Sequence, residues 1–105
     1  MALSYGIKPL PINKALQLYD ILGEFLPDAI DDGQIVDFVG KIVDNIASKQ
    51  SGAYADAIML MTNYDLEKLQ GFSTSELLEM FTAGLIVNNI MELKKFCKEI
   101  NYASD

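Results

Sequence analysis

The side chains able to do chemistry in this 105-residue chain are fifteen carboxylates, eight lysines and a single thiol, and histidine is absent. General acid–base work near neutral pH relies most often on histidine. Its absence also removes the Glu-x-x-His motif of di-iron bundles. The chain contains no Gly-rich phosphate loop, no Gly-x-Ser-x-Gly elbow and no Cys/His metal cluster. Paired carboxylates would still suit glycoside hydrolysis, but a helical domain of this length leaves little room for a substrate cleft beside its core. The sequence therefore assigns no catalytic, cofactor-binding or metal-ligating residue and no cofactor, and it reads as a non-enzymatic protein.

The nearest approach to a metal site runs from Asp28 to Asp37. Counted from Asp28, Asp32, Gly33 and Ile35 suit the fifth, sixth and eighth places of an EF-hand loop. Ile30 and Val39 occupy the third and twelfth, where an oxygen ligand and a bidentate Glu are required. Asp31 and Asp32 fit better as N-caps, where negative charge favours a helix by about 0.3–1 kcal/mol per well-placed group. A metal-responsive switch is thus the last of three functional alternatives, and a calcium titration without heat disposes of it. Asp20, Glu24, Asp28, Asp31, Asp32, Asp37 and Asp44 against Lys41 make one strongly negative region, a solvated face by default and a docking face for a basic partner as the functional alternative. Cys97 cannot form an intrachain disulfide, which suits a reducing compartment. On the apolar side of a helix it serves as a small hydrophobe.

The elements that must position these groups are helices. Ser73-Thr-Ser-Glu76 has the form of a capping box, so a helix starts near Thr74. Steps of about 100° per residue put Leu77, Leu78, Phe81 and Leu85 on one face and Ile86, Ile90, Leu93, Cys97 and Ile100 on another. A single straight helix would also bury Asn88, Lys95 and Glu99 beside the first face, at a cost of about 1–3 kcal/mol or more for each unpaired group. The expectation is helix, bend, helix, with Gly84 as a positive-φ cap and Asn89 with Glu92 as a second start. A continuous helix with a spiral apolar stripe is the alternative.

Upstream, Pro9 and Pro11 keep residues 1–11 extended. Ile12, Ala15, Leu18, Tyr19, Leu22 and Leu26 form the apolar side of a helix that Pro27 ends. A second helix over 33–48 buries Ile35, Val36, Val39, Ile42, Val43 and Ile46. Ala53 to Met61 is apolar nearly all round and belongs at the centre, with its methionines and Met80 and Met91 as core filler. Asp65 caps a short helix reaching Leu69. The prediction is an all-α, single compact domain of five to six short helices: an extended arm at 1–11, the helical domain at 12–100 and a tail at 101–105.

Half of the residues are apolar and net charge is −7, so composition indicates a folded chain. The longest uncharged apolar-rich run, Met80 to Met91, is shorter than the roughly 20 residues a membrane-spanning helix needs, and the N-terminal stretch lacks a signal-peptide pattern. Duplex recognition uses Lys and Arg on phosphates and Arg on guanine, and this chain has no arginine. Lys94, Lys95 and Lys98 fit a solvated helix end that offsets the macrodipole. Drawn as a helix-turn-helix, Ala57 to Phe81 would present Glu76 and Glu79 to phosphate. No membrane and no nucleic acid are expected as partners.

Phe81-Thr-Ala-Gly84-Leu85-Ile-Val-Asn88-Asn-Ile90-Met-Glu-Leu93-Lys-Lys-Phe96, preceded by Met61-Thr and Ser75-Glu76-Leu77-Leu78, resembles the tail assembly chaperones of long-tailed, siphovirus-type bacteriophages and prophages. The likeness covers mainly residues 57 to 100. It implies a protein of the bacterial host cytoplasm that binds the tape measure protein, with tail tube subunits later replacing it, and that is missing from the finished virion. No catalytic residues carry over, because the family has none. The alternative is a structural head–tail or tail-completion protein retained in the particle. Self-association is open in either case.

Overall fold

Pro11 sets where the first helix begins. Its backbone is extended (φ −63°, ψ 161°), and its carbonyl accepts the N–H groups of Lys14 and Ala15 at 2.9 Å, opening α1 (Ile12–Leu22). The computed structural model describes residue 7, residues 9–27 and residues 35–100. The helix was expected to reach Leu26; instead it tightens into a 3₁₀ turn over Gly23–Phe25. Pro27 explains the early end, because the residue before a proline is driven out of the α region, and Leu26 is extended at φ −77°, ψ 130°. Asn45 Nδ2 donates to the Phe25 carbonyl at 2.9 Å and ties this turn to the next helix.

That helix, α2 (Ile35–Ser48), starts beside the Asp28–Asp32 segment, so the proposed caps lie outside the described residues. Its buried side is Phe38, Val39, Ile42 and Ile46, whereas Val36 is 71% exposed. The expected stripe is thus rotated toward Phe38. Burying an aromatic ring removes more apolar area from water than burying a valine, which decides between the two faces.

Next, α3 (Ala53–Met61) packs against α1 and α2 and against two later helices, α4 (Leu66–Leu69) and α5 (Thr74–Val87). Its uniform apolarity fits this central place. The Thr62 hydroxyl closes it, donating to the Ile58 carbonyl at 2.8 Å and accepting the Tyr64 N–H at 3.2 Å. Asp65 caps α4 by accepting the Lys68 N–H at 2.9 Å.

The predicted capping box at α5 is present: Ser73 Oγ accepts the Glu76 N–H at 3.1 Å and Glu76 Oε1 accepts the Ser73 N–H at 2.8 Å. The bend falls later than expected. Gly84 is buried inside the helix, where an added Cβ would lie 2.6 Å from Met61 Sδ. It lets α3 and α5 approach closely and is not a cap. The chain turns at Asn88 and Asn89, and Asn89 takes the left-handed conformation (φ 49°, ψ 62°) that Asn tolerates better than most residues. α6 (Ile90–Glu99) follows and packs against α1.

Among the described residues there are six α-helices and no strand, an all-α single domain. Phe25, Leu18, Leu22, Ile42, Ile58, Met61, Met80, Phe81 and Leu85 share one core. Ile7 joins it at 2% exposure, so this part of the arm packs on its own domain.

Candidate protein-contact face on the fifth helix

One arc of α5 faces the core. Met80, Phe81, Gly84 and Leu85 are buried there, with the Phe81 ring 4.8 Å from that of Tyr54 on α3. With the helix continuing to Val87, steps of about 100° place Ser75, Leu78, Glu79, Thr82 and Ile86 within a separate arc of about 100°. Leu78 and Ile86 are 44% and 53% exposed. They line an open groove of about 490 Å³ together with Ser75, Glu79, Thr82, Ala83 and Val87. Hydrophobic side chains on the outer arc of a well-capped helix are anchors of the kind that helix-in-groove recognition uses.

Two other hollows are less suited to binding an apolar partner. One, about 500 Å³, is lined by Asp65, Glu67, Lys68, Gly71 and Phe72, and its Asp65 carboxylate is held by the Lys68 N–H. The other, about 270 Å³, lies where Pro9 and Leu10 meet Met59 and Leu60. The arm is fastened next to it, as Asn88 Oδ1 accepts the Leu10 N–H at 2.7 Å while its Nδ2 donates to the Gly84 carbonyl at 2.9 Å. Asn88 is therefore a structural bracket between arm and bend.

The remaining residues singled out from sequence divide clearly. Cys97 is buried, and that burial, with a lesser push from the Asp20 carboxylate, raises its thiol pKa. A thiol so placed is a poor nucleophile. Met61 and Met80 are core, while Met59 and Met91 are partly buried against it. Lys94 corrects the expected lysine cluster: it is buried, and its Nζ donates to the Pro27 carbonyl at 2.5 Å. Lys95 instead pairs with Glu92 at 3.5 Å on the surface. Asp20, Glu24, Asp37 and Asp44 are exposed; Asp28, Asp31 and Asp32 lie outside the described residues. Among the described residues no group of three metal-ligating side chains converges and no helix is long and apolar enough to cross a membrane.

No family model, curated protein or solved structure matches this chain.

Sequence reasoning missed Leu78 and Ile86 as surface residues because it grouped Leu78 with Phe81 and Leu85 on one apolar face and put Ile86 beyond a break at Gly84. The signal was available in Asn88-Asn89, a pair better suited than a helix-interior glycine to the turn. Moving the break there puts Ile86 on the arc of Ser75, Glu79 and Thr82, with Leu78 at the edge of that arc.

Proposed function

We propose that this chain is a non-enzymatic protein-interaction protein, a tail assembly chaperone that holds the tape measure protein in the bacterial host cytoplasm during tail morphogenesis. The observation that carries this reading is the exposed aliphatic row of α5, Leu78 and Ile86 lining one groove on a chain of net charge −7. An apolar row would cover hydrophobic segments of a client, and the surrounding charge would keep the complex dispersed. The resemblance of residues 57 to 100 to that chaperone family supplies the partner's identity.

The test is co-expression with a tape measure protein from the same genome. A soluble complex containing both is expected, and an insoluble tape measure with nothing co-purifying would sink the reading. Mass spectrometry of purified virions separates it from a head–tail or tail-completion protein: a chaperone is missing from the particle, whereas a structural component is retained.

A further inference from the structure

The arm ahead of α1 is held differently from the helices. The α1 hydrogen bonds begin after it, at the Pro11 carbonyl, which accepts the Lys14 and Ala15 N–H groups. Residues 11–14 are all exposed, so the first turn of α1 does not rest on the core. Proline donates no backbone N–H. Between Pro9 and Pro11 only Leu10 can therefore donate one, and Asn88 Oδ1 accepts it at 2.7 Å across 78 positions of sequence.

Among the described residues, apolar anchorage of the arm comes from Ile7, which is buried, and from Leu10, partly buried against the core. Packing beside Leu10 is incomplete: Pro9, Leu10, Pro11 and Lys14 face Met59 to Asn63 across the hollow of about 270 Å³. Few buried apolar contacts and water-exposed flanks are the marks of a segment that opens short of global unfolding. Lifting the arm away would also break little else. α1 keeps its first bonds on the Pro11 carbonyl, and α5 keeps its end, because the Gly84 carbonyl still accepts both the Asn88 backbone N–H at 3.0 Å and its Nδ2 at 2.9 Å.

We infer that the arm is a releasable strap, anchored by Ile7 and latched by Asn88 on the Leu10 N–H, which swings open about Pro11 while the six helices stay folded. Opening uncovers the core position that Ile7 fills and the Met59–Asn63 wall of the hollow, and it frees the Asn88 carboxamide oxygen at the end of α5. The strap does not depend on the exposed row of α5 or on which partner that row meets.

Native-state hydrogen exchange of the full chain in increasing urea, read by NMR, tests this. The Leu10 amide should be slowed at least about tenfold relative to an unstructured chain, yet exchange at least about tenfold faster than the amides of Ile58 and Leu85 in the helical core. Its rate should hardly change with urea at concentrations where theirs climb, because opening the strap exposes little surface. Ile7→Ser should bring Leu10 to within about threefold of the unstructured rate with the helical circular dichroism intact. In that variant Ile58 and Leu85 should lose no more than the factor by which Leu10 was protected, since a strap already open has nothing further to lose. A Leu10 amide with the same urea dependence as Ile58 would overturn the inference by making the arm part of the cooperative core. An unprotected Leu10 amide in the wild type would overturn it by showing that no latch exists, and loss of helical signal in Ile7→Ser would contradict the independence of the helices. A light-scattering dimer that dissociates in Ile7→Ser would also overturn it, by giving the seat of the arm to a second copy.

Discussion

At the residue scale, Thr62, Asn88 and Lys94 bond backbone groups and so hold helix ends and the arm in place. Burial raises the Cys97 thiol above its ordinary range, with Asp20 adding to the effect, and burial also raises the Tyr54 hydroxyl. In both cases the folded state holds its proton more tightly than the unfolded chain. That contribution to stability is complete below the unfolded pKa and is lost as pH rises through the folded one. Urea melts should therefore give a flat stability on this account up to about pH 8.5, the ordinary thiol range, and a decline above it that Cys97→Ala makes shallower. An unchanged alkaline slope in that variant would remove Cys97 as its source. Asn88 makes two bonds at once, one holding the arm through the Leu10 N–H and one closing the last turn of α5. Asn88→Ala should cost about 1–3 kcal/mol, because it strands the partly buried Leu10 N–H, while the Gly84 carbonyl keeps the backbone N–H of residue 88. Denaturant unfolding measures this, and a loss below about 0.5 kcal/mol would mean that water replaces the bond to Leu10.

At the scale of the elements, two helical glycines give opposite expectations. Gly40 is exposed on α2 with nothing within 4 Å of an added Cβ, so Gly40→Ala should stabilise by up to about 1 kcal/mol through helix propensity. Gly84→Ala would push a Cβ to 2.6 Å from Met61 Sδ. It should destabilise by about 1–2 kcal/mol despite the same propensity gain, and Met61→Ala should relieve part of that in a double-mutant cycle. Thermal melts read all of these; a Gly84→Ala variant as stable as Gly40→Ala would contradict close α3–α5 packing. These glycines also mark what the sequence could convey. The Ser73 box, the Asp65 cap and the central placement of Ala53–Met61 were legible because caps and periodicity are local signals. The bend was misplaced because a glycine in a helix reads alike whether it ends the helix or admits a neighbour, and only tertiary packing distinguishes the two. Phe38 was passed over for the same reason, since two apolar stripes compete on α2 and burial of the larger ring decides between them.

For the whole molecule, all-α architecture followed from composition and period, while the exposed aliphatic row of α5 did not. Leu78 and Ile86 look like core residues in a linear reading, and they are exposed because α3 packs on the side of α5 that carries Met80, Phe81, Gly84 and Leu85. Lys94 shows the converse, a charged residue buried because its stem packs inward while its ammonium group reaches the Pro27 carbonyl. Exposed anchors can be removed without disturbing the core, so Leu78→Ser with Ile86→Ser should change stability by no more than about 0.5 kcal/mol. Any loss of partner binding is then attributable to the face itself. The decisive measurement is co-expression of the tape measure protein with the wild-type chain and with this double variant, followed by the soluble yield of the complex. The wild type should keep the partner in solution and the variant, folded by circular dichroism, should not; equal yields from both would contradict the assignment of α5 as the contact face.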